Sequence, residues 1–174
     1  MPMTDSEARS ISAIAGNVER LRRFFHDVEA PSSGDSPDEW LRYLVAMKRT
    51  MGNTSNWVSF VACVLAKRYL NANLQMAEFD VSLKPQGAQG LDIDAMTVTG
   101  ERVVAEIKTT IPYNQMRLGA AQHASFQKDF DKLSSAVAEH RFLFVTDERT
   151  YQAVEHAFVS RLNGIQLVSL WSEA

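Results

Sequence analysis

Residues 90–108, GLDIDAMTVTGERVVAEIK, constrain the fold more than any other part of this chain. Two alternating runs, Leu91–Val98 and Arg102–Thr109, flank Thr99-Gly100-Glu101, a pattern that predicts a β-hairpin. Residues two apart on a strand share a face. A three-residue loop at Thr99-Gly100-Glu101 sets Val98 opposite Arg102, which places Asp94 across from Glu106 and Asp92 across from Lys108. All four charged groups then project from one side, together with Val104. Leu91, Ile93, Ala95, Val103, Ala105 and Ile107 form an apolar face on the other. A two-residue loop would change the parity and scatter the acids.

Three carboxylates and an ammonium on one strand pair repel and cost stability unless something is gained. A divalent cation relieves the repulsion, and carboxylate oxygens select Mg²⁺, with Mn²⁺ as a substitute. Such an ion holds a phosphate oxygen and acidifies water, and Lys108 is placed to orient that water or stabilise charge on the phosphate.

The rest of the chain supplies helices and further strands. Residues 5–29 carry Ile11, Ile14, Val18, Leu21, Phe24 and Phe25 near helical spacing. After the linker-like APSSGDSPDEW, Ser36 and Pro37 mark a helix start from which Trp40, Leu41, Leu44 and Met47 point inward. Met51-Gly52-Asn53 ends that helix and Thr54 or Ser55 caps the next. Residues 57–66, WVSFVACVLA, are apolar on nearly every side and predict a buried helix. Gln75–Leu83 reads as a strand and KPQGAQG (84–90) as a turn-rich connector. Beyond the hairpin come a helix over 119–139, a buried strand over 141–145, a helix over 147–162 and a last strand over 165–170.

The expected architecture is α/β: one domain over 1–174, with a helical N-terminal extension (1–50) and a core (54–170). In that core a mixed sheet is flanked by helices on both faces.

Composition narrows the class. With 174 residues, 45% hydrophobic and 22% charged, the chain is a globular protein large enough for one core. No apolar run reaches the roughly 20 residues that span a bilayer. The polar start, MPMTDSEARS, lacks the features of a secretory signal, and the one cysteine, Cys63, has no internal partner. A cytoplasmic location is therefore expected. The net charge of −3 gives nucleic-acid binding no bulk support. Basic residues do gather at Arg20, Arg22 and Arg23, at Lys48 and Arg49, and at Lys67 and Arg68, where a solvated helix face explains each group as well. The four histidines show no metal-ligand spacing, and no phosphate-cradling glycine loop or Ser/His/Asp arrangement occurs.

The combination of Asp94 on one strand and Glu106-Ile107-Lys108 on the next resembles the PD-(D/E)XK nuclease superfamily, over roughly residues 54–146. The resemblance implies a restriction-endonuclease-like fold and Mg²⁺-dependent endonuclease activity on DNA, with RNA the weaker alternative. The setting it implies is restriction, phage defence or DNA repair. It implies Asp94, Glu106 and Lys108 as catalytic residues. Asp94, Glu106 and the Ile107 carbonyl are the implied metal ligands, with Asp92, Gln122, Lys128 and Glu39 as further candidates. Gln122 and Lys128 lie on the helix after the hairpin, where Gln122, Ser125, Asp129 and Lys132 form a polar stripe. Double-strand cleavage by one small domain implies a homodimer or a larger defence or repair complex.

One departure stands out. Many members carry a glutamate on the helix before the sheet, and residues 51–77 here contain no Asp or Glu. Asn56, Ser59 or Glu39 is left to take that place. The same departure favours the alternative of a catalytically weak or inactive nuclease-fold subunit that binds DNA or protein.

Overall fold

A computed structural model of the chain describes residues 2–84, 89–112 and 117–170. Most of the 84–90 connector therefore lies outside the described residues. The elements follow in the order α1 (Asp5–Asp27), α2 (Pro37–Met51), α3 (Thr54–Asn73), a 3₁₀ turn (Val81–Leu83), β1 (Ile93–Met96), β2 (Arg102–Lys108), α4 (Ala120–Ser135), β3 (His140–Val145), α5 (Glu148–Ala157), a second 3₁₀ turn (Val159–Arg161) and β4 (Gln166–Ser169).

The sheet order is β1-β2-β3-β4. β1 runs antiparallel to β2, while β2, β3 and β4 are mutually parallel. The sheet is thus mixed, as the strand pattern predicts. Ile93, Ala95, Val103, Ala105, Phe142, Phe144 and Val168 pack against Ala66 and Leu70 of α3. On the opposite face, Val104, Leu143 and Val145 pack against Phe126, Phe130 and Leu133 of α4, Val154 of α5 and Phe158 just beyond it. Helices therefore cover both faces of a central sheet, an α/β architecture.

Four sequence expectations change. The predicted strand over 75–83 shrinks to one bridge, Met76 to Thr97. Beyond it the backbone leaves the sheet because Glu7, far away in sequence, claims the amide of Val81 at 3.0 Å. Helix α2 buries none of its residues fully; Leu41 and Leu44 face solvent, so its apolar spacing does not mark a core face. Helix α3 is buried toward the sheet and toward α1 but leaves Val58 and Leu65 exposed. Its N-cap is Asn53, whose side chain accepts from the amide of Asn56, rather than Thr54 or Ser55.

Helix α1 is locked to the core through its own capping box. Thr4 caps the helix and Glu7 bonds back to the Thr4 amide at 2.9 Å. The same carboxylate, fully buried, accepts from Lys67 Nζ of α3 at 2.8 and 3.1 Å. Lys67 is therefore a core residue paired to Glu7 and no part of a surface basic patch.

Candidate active site

The hairpin keeps its predicted parity but slips by two residues in register. Asp94 pairs with Val104, Ala95 with Val103 and Met96 with Arg102. The reason lies in the turn. The amide of Thr97 donates to the carbonyl of Glu101 at 2.8 Å, and the amide of Glu101 donates to the Thr97 hydroxyl at 2.9 Å. The three-residue loop is thus Val98-Thr99-Gly100, one residue earlier than expected. Gly100 takes φ +87°, which L side chains rarely adopt. The Val98 amide is drawn outward to the Gln75 carbonyl at 2.7 Å, which fixes the choice.

This slip exchanges the roles of the two aspartates. Asp94 lies too far toward the turn to face Glu106. It forms a two-point pair with Arg102, Nε to Oδ1 at 2.9 Å and Nη2 to Oδ2 at 2.7 Å. The Arg102 bonds hold its carboxyl below the usual range, against a smaller opposing effect of burial. Asp92, immediately before β1, instead accepts at Oδ2 from the amide of Ile107 at 2.8 Å. Its carboxylate completes the hydrogen bonding of β2 where the β1 ladder stops. Of the two aspartates, it is Asp92 that lies beside the Glu106-Ile107-Lys108 segment.

Glu106 and Lys108 share the sheet face covered by α4, as parity requires. Glu106 is buried, and its Oε1 accepts from Lys132 Nζ at 2.9 Å. Lys108 Nζ donates to Ser125 Oγ at 2.8 Å and lies 2.5 Å from Asp129 Oδ2. The latter is an ion contact outside hydrogen-bonding geometry, so Asp129 Oδ2, though buried, accepts no directed bond. Asp129 Oδ1 lies 3.7 Å from Lys132 Nζ. One carboxylate thus stands between two ammonium groups. Ser125, Asp129 and Lys132 occupy positions i, i+4 and i+7 of α4, a single helical stripe turned toward β2.

The charges perturb one another. Burial pushes Glu106 up to about 7, with Asp92 and Asp129 adding to the shift and Lys132 opposing it. Burial likewise raises Asp129, against the pull of Lys108 and Lys132. Burial alone would lower Lys132, but its bond to Glu106 and the nearby carboxylates raise it. On the far side, burial, joined by the charge of Asp92 and opposed by that of Lys84, raises the Cys63 thiol of α3 to about 12.

The remaining candidates stand elsewhere. Gln122 caps α4, accepting from the Gly119 amide at 2.9 Å and donating to the Ile111 carbonyl at 2.8 Å. Lys128 is exposed, one position off the inward stripe. Glu39 is turned back onto Ser36 as the closing residue of the α2 capping box and lies in a cleft with Val28 and Tyr43. Asn56 is exposed in the first turn of α3. The residues that sequence reasoning left in the background are Ser125, Asp129 and Lys132. Their spacing was the available signal. The loop after Lys108 is held at Thr110, whose carbonyl accepts from the buried Thr150 hydroxyl at 2.7 Å.

The donors near Glu106 are hard oxygens: the Asp92 and Glu106 carboxylates and the backbone carbonyl of Ile107. Among the described residues, no three His, Cys, Asp or Glu side chains stand together as a complete metal cage. Carboxylate and carbonyl oxygens are the donor types that Mg²⁺ takes, with water completing its shell where few protein ligands are present. Burial, with the charges of Asp92 and Asp129 beside it, raises the Glu106 carboxyl to about 7, and a cation there would favour its charged form.

No family model matches the chain. No curated protein and no solved structure matches it either. Among the described residues, no helix is long and apolar enough to cross a membrane.

Proposed function

We propose that this chain is a Mg²⁺-dependent phosphodiesterase of the PD-(D/E)XK type that cleaves DNA, with Asp92, Glu106 and Lys108 as its working residues. The observation that carries the reading is an aspartate hydrogen-bonded to the backbone between Glu106 and Lys108. Asp92 is fixed to the Ile107 amide, inside the Glu106-Ile107-Lys108 segment itself. Asp92, Glu106 and the Ile107 carbonyl would hold the cation. When bound, that cation supplies positive charge to the scissile phosphate.

The protein groups divide the remaining work. The backbone bond to Ile107 fixes the Asp92 carboxylate at the strand end. Ser125 and Asp129 hold the Lys108 ammonium in place. Lys108 stabilises negative charge that grows on the phosphate and orients the attacking water. A restriction-like or repair role, and a dimer that brings two sites to two strands, fit this chemistry.

A second reading is a nuclease-fold subunit that binds without cleaving. It is favoured by the internal neutralisation of the cluster, with Lys132 on Glu106 and Asp129 on Lys108. A cleavage assay on single- and double-stranded DNA, and on RNA, separates the two. The enzyme reading expects Mg²⁺-dependent product that EDTA abolishes and Lys108→Ala reduces by about 10²-fold or more. Binding without cleavage under Mg²⁺ and Mn²⁺ supports the subunit reading instead.

A further inference from the structure

The ammonium of Lys132 is held among oxygens from three parts of the fold. Glu106 Oε1 of β2 lies at 2.9 Å, the Gly90 carbonyl before β1 at 3.4 Å and Asp129 Oδ1 of α4 at 3.7 Å. An ammonium in an all-oxygen setting occupies the kind of position a hard cation takes. Its side chain is 45% exposed, whereas that of Glu106 is 4% exposed. The lysine head can therefore withdraw into water while the carboxylate stays where the strand fixes it.

We propose that Lys132 is a tethered counter-cation to Glu106, and that a divalent metal binds at Glu106 by displacing it from that carboxylate. The proposal rests on the metal-dependent reading of the same cluster. Without the metal, Lys132 compensates the buried carboxylate and keeps the cluster folded. With the metal, Lys132 is released to the mouth of the site, where a phosphate backbone would meet it. Asp129 lies in contact with both lysines and stays beside the Glu106 position once Lys132 leaves. It thereby offers from α4 an acid that α3 does not supply. The lysine sets the metal concentration at which the site switches on, because the ion must compete with a charge that is always present at high effective concentration.

The test is direct Mn²⁺ binding, followed by calorimetry, on the full chain and on Lys132→Met, Lys132→Arg and Glu106→Gln. Lys132→Met removes the competing charge and keeps the aliphatic stem. It is expected to bind Mn²⁺ on the order of ten-fold tighter than the parent. Lys132→Arg is expected to stay near the parent, and Glu106→Gln to lose binding. A second measurement uses the unaltered protein. Mg²⁺ should speed amine acetylation of Lys132, read by mass spectrometry, while the exposed Lys128 keeps its rate. If Lys132→Met binds no tighter and Mg²⁺ leaves Lys132 labelling unchanged, while Glu106→Gln abolishes binding, the displacement idea is wrong and the metal site stands. If Glu106→Gln binds as well as the parent, the metal reading fails and takes the displacement idea with it.

Discussion

Glu106→Gln tests the electrostatics of the cluster in the absence of metal. The folded Glu106 carboxyl titrates at about 7 against an ordinary value of 4.5. At 1.36 kcal/mol for each tenfold in proton affinity, the gap sets a ceiling of about 3 kcal/mol. Water reaches the site through the half-exposed Lys132, so screening reduces the effect to about 1–2 kcal/mol. The sign follows from the direction of the shift. The folded state holds the proton more tightly than the unfolded chain. The contribution is therefore full below 4.5 and is lost as pH rises through 7. Asp129, also raised, acts in the same direction.

Glutamine mimics the protonated carboxyl and removes this slope. In EDTA, urea unfolding of parent and variant should give similar stability near pH 4.5. Near pH 8 the variant should be more stable by about 1–2 kcal/mol, or roughly 3–6 °C in midpoint. A gap between the two proteins that does not change with pH, or a variant that is weaker near pH 8, would refute the reasoning.

Two further substitutions probe the frame. Lys67→Met strands the Glu7 carboxylate, fully buried, and should lower the thermal midpoint by roughly 10 °C, since breaking a buried pair costs about 3 kcal/mol or more; circular dichroism melts read it. Gly100→Ala meets no atom within 4 Å but forces a methyl group onto φ +87°, so chemical unfolding should show a loss of about 1 kcal/mol from backbone strain alone.

The hairpin was legible in the sequence because its alternation fixes which residues share a face, and that parity holds in the structure. The register was not, because the turn is decided by the Thr97 hydroxyl and by the Gln75 carbonyl outside the hairpin. A shift of one loop position moved the metal role proposed for Asp94 to Asp92. Similarly, the polar stripe of α4 was visible, but Lys128 does not share it, because one helical step turns its side chain about 100° away from that of Asp129. The false strand at 75–83 and the supposed basic patch at Lys67 share one cause. Both depend on Glu7, whose partners are 60 and 74 residues away. Local pattern carries no trace of such a contact.

The most direct test of the central claim compares Mg²⁺-dependent cleavage of one DNA substrate by the parent, Asp92→Asn and Asp94→Asn. Asp92→Asn should lose about 10²-fold or more in single-turnover rate. Asp94→Asn breaks an exposed pair with Arg102 and should stay within a few-fold of the parent. Loss of cleavage in Asp94→Asn with Asp92→Asn still active, or no cleavage by the parent with either Mg²⁺ or Mn²⁺, would contradict it.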